Sequence, residues 1–236
     1  MIPLRDSAAP RRLTPVNTAL IAMNVAVFAY ELSLGPSVAV FAARFAMVPA
    51  TVAAWSGGLA APARIPLLGG ALWPPATLLT SLFVHAGFPH VAGNMLYLFI
   101  FGAAVEYRLG SLRYFCFYGA SGIAAGMATI AMAPASRIPV VGASGAIAGV
   151  LGAYFILYPR GRILTLLPIF VFIQIVEIPA VLYLLLWFAV QLYAGLETET
   201  RGALVGGVAW WAHVGGFLFG VALGPMLARG RPPRRR

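Results

Sequence analysis

Residues 142–159 read GASGAIAGVLGAYFILYP, with no charged side chain, and Arg160 and Arg162 follow at once. An apolar run closed by arginines is what a membrane-crossing helix and its basic flank present. Gly145 and Gly149 stand four residues apart in it. One face of such a helix is therefore low enough for a second backbone to lie against it. Gly216, Gly220 and Gly224 repeat that spacing in the last apolar run of the chain. The two runs are predicted to pack together.

Working outward, segments long enough to cross a core of roughly 30 Å, which takes about 20 helical residues, occur at 17–35, 89–108, 112–133 and 207–228. The stretch 163–195 is too long for one simple span. Pro179 suits a first helical turn, and Glu177 just ahead of it suits the dipole of a helix start. Residues 163–176 are accordingly assigned to the cytoplasmic interface and a fifth span to about 179–195. With 144–159, inside the run that opened the reading, the result is an all-α polytopic membrane protein of six helices over 17–228. An N-terminal segment (1–16), external loops at 36–88 and 196–206, and a basic tail (229–236) complete the division. The loop 36–88 is broken by Gly and Pro and is expected to form short interfacial helices.

Composition agrees, because a chain 61% apolar and only 9% charged does not belong to the soluble class. Every basic residue is Arg. With six spans and the N-terminus inside, Arg5, Arg11, Arg12, Arg108, Arg113, Arg160, Arg162 and the five tail arginines face the cytoplasm, and Arg44, Arg64, Arg137 and Arg201 face out. Twelve against four predicts that both termini are cytoplasmic. The tail reads as a membrane flank and not as a nucleic-acid site. The first apolar stretch reads as a retained helix, since many spans follow it. Cys116 is the one cysteine, so no intrachain disulfide can form and a zinc cluster is not expected.

Ionisable and polar side chains inside a bilayer are expensive, and each is a functional candidate. Counting about 1.5 Å per helical residue from the nearest cytoplasmic arginine, Ser144 and His213 rise roughly 24 Å and Asn94 roughly 21 Å. Three helices thus carry polar groups to one level beneath the outer surface. His90 and Asn94, four apart, share a helix face, and His85 precedes that helix. Gly142-Ala143-Ser144-Gly145 opens its span, so Ser144 lies among the unpaired N–H groups of a helix N-terminus, which stabilise negative charge. A neutral imidazole can take the serine proton during attack on a carbonyl. The Ser144 N–H, Asn94 and His90 are candidates to hold the resulting oxyanion. No carboxylate is placed to orient His213, since Glu106 falls at the cytoplasmic end of its span. A Ser-His dyad is predicted.

Taken together, His85-Ala-Gly-Phe-Pro-His90-Val-Ala-Gly-Asn94, Val105-Glu106-Tyr107-Arg108-Leu109-Gly110, Gly142-Ala-Ser144-Gly145 with Gly149, and Ala212-His213 with Gly216 and Gly220 resemble the rhomboid family of intramembrane serine proteases. The resemblance runs from about Thr80 to Gly224. It implies a six-helix rhomboid-like bundle with Ser144 as nucleophile, His213 as base and His90 and Asn94 as oxyanion-hole side chains. It further implies that the fifth helix and the loop near 196–206 govern substrate access, and that the substrates are transmembrane segments of other proteins. A substrate helix must unwind to expose a carbonyl, so weak helix formers near the cut are expected, and the resemblance adds a small residue just before it. The chain departs from the family pattern at Ala76-Thr77, where many members carry Trp-Arg, and at Ala148, where some carry an aromatic under the catalytic histidine. Another group is needed to support the His213 ring. A non-catalytic relative that binds membrane clients is the alternative. A transporter is disfavoured because the polar cluster lies near one face only. No metal or nucleotide cofactor is implied, and the sequence fixes no oligomeric state. The all-Arg, Ala-rich composition, with no evident organelle presequence, predicts a bacterial cell-membrane protein.

Overall fold

The structure is a computed structural model that describes residues 1–8, 14–56, 73–169, 172–201 and 209–228. Strand β1 (Ile2–Asp6) is followed by helices α1 (Pro15–Ser33), α2 (Val38–Phe45), α3 (Pro49–Ser56), α4 (Thr77–Thr80), α5 (Phe88–Tyr97), α6 (Ala103–Leu109), α7 (Ser111–Met132) and α8 (Ser144–Leu157). Strands β2 (Arg162–Ile169) and β3 (Phe172–Pro179) then lead into α9 (Ala180–Arg201) and α10 (Trp210–Leu227). A π-helical turn over Leu98–Gly102 joins α5 to α6, making one long helix, Phe88–Leu109. The tail 229–236, residues 57–72 of the loop expected at 36–88 and residues 202–206 of the loop expected at 196–206 lie outside the described residues.

Among the described residues, five helices are long and apolar enough to cross a membrane: α1, Phe88–Leu109, α7, α9 through Thr198, and α10. The chain is a mostly helical, multi-pass membrane protein. Helix α8, with 14 residues, is only about 21 Å long at 1.5 Å per residue. All but three of its side chains are buried. A helix so largely enclosed by other helices has little need of full spanning length.

The glycines decide how α8 is enclosed. A Cβ on Gly216 of α10 would strike the Gly145 carbonyl, one on Gly220 the Gly149 carbonyl, and one on Gly152 the Phe217 carbonyl. The backbones of α8 and α10 therefore touch, which only hydrogen side chains permit. On the other flank Gly149 meets Ser121 of α7.

Helix α1 has no side-chain cap of its own. The buried Glu106 of α6 supplies one, accepting the N–H groups of Val16 at 3.2 Å and Asn17 at 2.7 Å as well as the Ser111 hydroxyl at 2.7 Å. Asn17 in turn donates to the Leu98 carbonyl at 3.1 Å, inside the π-turn, and accepts from the Tyr114 hydroxyl at 2.8 Å. Gly102 leaves the room that the Asn17 amide fills.

The all-α expectation is corrected by a three-stranded antiparallel sheet in the order β1-β2-β3. Residues 163–169 and 172–176, assigned to an interfacial segment, lie instead in two antiparallel strands, with Arg162 opposite Pro179 and Ile169 opposite Phe172. The N-terminal segment adds the third strand, Ile2 opposite Leu166 and Asp6 opposite Ile163. A run apolar on both sides carries no alternation, so its length alone could not separate strand from helix. Pro179 ends β3 instead of sitting in the first helical turn, and Glu177 pairs with Arg162 at 3.0 Å across the hairpin. Residues 196–201, expected in a loop, continue α9. The loop expected at 36–88 forms α2, α3 and α4 within its described part.

Candidate active site

Two loops fix the chain ahead of α8. Met47 and Val140 exchange backbone hydrogen bonds at 3.1 and 2.8 Å, and Ala50 N–H donates to the Ser136 carbonyl at 2.9 Å. Nearer the serine, Gly142 N–H donates to the Ser81 carbonyl at 2.8 Å. Gly142 has φ +110°, a conformation a side chain would strain. A Cβ there would come within 2.6 Å of His90 Nε2 and 3.6 Å of Asn94 Nδ2. The space beside Gly142 is thus bounded by two nitrogens of α5.

Both nitrogens can donate into that space. His90 Nδ1 accepts the Ala86 N–H at 3.4 Å, which leaves the proton of the neutral ring on Nε2. Asn94 is 7% exposed and its Nδ2 finds no acceptor among the described residues. A buried amide donor without a partner is uncommon and fits an oxygen that arrives only during reaction.

His213, in the first turn of α10, brings its Nε2 to 2.8 Å from Ser144 Oγ. On the far side of the ring, Nδ1 lies 2.7 Å from Oε1 of Gln191 in α9. Trp187 of α9 and Trp210 of α10 pack around the imidazole, their rings centred 5.9 and 6.2 Å from it. These indoles stand in for an aromatic at position 148, where Ala148 is fully buried. A cleft of about 800 Å³ opens beside these groups, lined by Ser144, His213, His90, Met132, Pro139 and Trp210 among others.

His85 lies outside the reacting pair. It is buried in the extended link before α5, its Nδ1 3.2 Å from the Phe83 carbonyl and its ring edge-on to His90 at 5.1 Å. Burial, with His90 close by, pushes its pKa down to about 4, so the ring is neutral near neutral pH. The Glu31 carboxylate of α1 accepts the His85 N–H at 3.2 Å. His85 therefore stiffens the turn that carries His90. Gly145, next to Ser144, leaves room for Ala125 of α7, and its carbonyl meets Gly216 of α10.

Of the residues singled out from sequence, Ser144, His213, His90, Asn94 and Gly142 converge on one volume, while His85 and Gly145 support it from behind. No sequence pattern singles out Gln191 or Trp187. Gln191 lies inside the fifth predicted span and an amide at that depth could have been flagged as readily as Asn94, but it has no motif partner. Among the described residues no group of three or more His, Cys, Asp or Glu could hold a metal ion.

The Rhomboid domain matches residues 70–230 of this chain. Rhomboid protein 1, mitochondrial, of Saccharomyces cerevisiae is 30% identical over 166 residues, 68% of this chain and 44% of that protein. Rhomboid protease GluP of Bacillus subtilis is 45% identical over 76 residues, 32% of this chain and 14% of that protein. The human presenilin-associated rhomboid-like protein, mitochondrial, is 29% identical over 153 residues, 61% of this chain and 36% of that protein. The chain spans less than half the length of these relatives. Bacterial and mitochondrial proteins both appear among them.

Proposed function

This chain belongs to the rhomboid family, and on that premise we propose that it is an intramembrane serine endopeptidase acting on transmembrane segments of other proteins. The observation that carries the reading is the 2.8 Å approach of His213 Nε2 to Ser144 Oγ, at the floor of an open cleft and beside two N–H donors. Ser144 Oγ attacks a substrate carbonyl carbon while His213 Nε2 takes its proton. The carbonyl oxygen, now an anion, is held by the Ser144 N–H, His90 Nε2 and Asn94 Nδ2. His213 then returns the proton to the leaving amine as the peptide C–N bond breaks, and a water activated by the same ring hydrolyses the acyl-serine. Weak helix formers near the cut favour cleavage, since a helical substrate hides its carbonyls in its own hydrogen bonds.

In its setting, the protein crosses the membrane of a bacterial cell six times, the short α8 being the fourth crossing in chain order, with both termini cytoplasmic. The arginine distribution supports this orientation.

Reaction with a fluorophosphonate, followed by intact mass, tests the proposal directly. Wild type is expected to gain one adduct, and Ser144→Ala and His213→Ala none. No adduct on folded wild type would move the assignment to a client-binding role.

A further inference from the structure

We propose that Gln191 is the positioning residue for His213, fixing which ring nitrogen carries the proton, so that the reactive unit spans three helices instead of two. The inference rests on the serine-protease reading above. Its starting point is the 2.7 Å contact between Gln191 Oε1 and His213 Nδ1, with both residues buried.

The direction of that hydrogen bond follows from the other end of the amide. Gln191 Nε2 lies 3.4 Å from the Trp187 carbonyl, one turn earlier in α9. A carbonyl only accepts, so the amide NH2 must face Trp187 and the amide oxygen must face the imidazole. An amide oxygen also only accepts, which puts the His213 proton on Nδ1. The neutral ring then has its lone pair on Nε2, 2.8 Å from the Ser144 hydroxyl. In the opposite tautomer the Nδ1 lone pair would face the Gln191 oxygen, and Nε2 would present a proton where a base is needed.

The chemical type of this residue suits its depth. A carboxylate in the same place would be a charge taken out of water into the interior of a membrane protein. A neutral amide accepts the Nδ1–H without that desolvation, and its oxygen still faces the ring when His213 becomes imidazolium during attack. The indoles of Trp187 and Trp210 confine the ring plane, but neither supplies an acceptor to Nδ1. Tautomer selection therefore falls to Gln191.

The test compares Gln191→Leu, which keeps the volume and loses the acceptor, with Gln191→Glu, which keeps an acceptor. The readouts are fluorophosphonate labelling rate and, on a transmembrane peptide, kcat and KM separately. Gln191→Leu is expected to lower labelling rate and kcat about 100-fold with KM within twofold, and Gln191→Glu to recover at least a tenth of the wild-type rate. Equal rates for folded Gln191→Leu and wild type would overturn the proposal while leaving the protease reading intact; absence of labelling in wild type would instead overturn that reading. A second measurement needs no variant at this position. In the full chain with ¹⁵N-histidine, the His213 signals, assigned by their loss in His213→Asn, are expected to show protonated Nδ1 and bare Nε2. A protonated Nε2 would overturn the proposal even if no Gln191 variant folds.

Discussion

Gly220 of α10 stands directly against the backbone carbonyl of Gly149 in α8, with no room for a methyl group between them. His213 lies two turns before Gly220 and Ser144 lies five residues before Gly149, so this contact sets the separation of the reacting pair. Gly220→Ala is expected to lose about 1–3 kcal/mol of stability through overpacking and to slow fluorophosphonate labelling. Gly93→Ala is the control. A Cβ at Gly93 meets nothing within 4 Å, so that substitution should hold or raise the melting temperature in detergent.

Asn94 and His90 bound the space beside Gly142 from the α5 side. If their N–H groups hold the oxyanion, Asn94→Ala should lower kcat on a transmembrane peptide by about 100-fold or more, with KM little changed, as removal of one such donor does elsewhere. His90→Ala should act in the same direction. A change confined to KM would show that Asn94 binds substrate and not the transition state.

Glu106 holds three donors at the start of α1 and α7. Its removal leaves one buried and two partly buried donors without this acceptor, so Glu106→Ala is expected to destabilise by about 2–4 kcal/mol, with Glu106→Gln milder because one amide oxygen remains. Thermal unfolding in detergent, with labelling rate measured well below the transition, separates this structural role from catalysis.

Asp6 ties β1 to α8, accepting the Ala8 N–H at 2.7 Å and the Tyr154 hydroxyl. Burial pushes its carboxyl pKa up from 3.8 to about 6. Between those values the folded state holds a proton that the unfolded state has released, so this group's contribution to stability falls as pH rises from about 4 to 6. Asp6→Asn keeps an acceptor and removes the charge. Relative to wild type, its melting temperature should rise at pH 7.5 and change little near pH 4, the difference corresponding to roughly 2 kcal/mol at about 1.4 kcal/mol per pH unit. Equal effects at both pH values would show that Asp6 is already neutral, or equally charged, in both states.

Much of the helical frame was legible in advance because a bilayer imposes a local demand: enough consecutive apolar residues, flanked by charge. The starts of α1, α7 and α8, and of the long helix at Phe88, fall within two residues of the expected positions. The sheet was not legible, since β1 and β2 are paired across some 160 residues and their apolar pattern does not alternate. Nor did any local rule mark residues 196–201 as a continuation of α9.

Within the site, sequence alone selected a serine, histidines and an asparagine raised to a common depth, because spacing along a helix converts directly into height. It could not give their azimuth. Which face of α9 turns toward α10 depends on side chains packed between them, so the Gln191 contact, the proton on His213 Nδ1 that it demands and the indoles around the ring were decided only by the tertiary structure. Height follows from one helix, but orientation needs two.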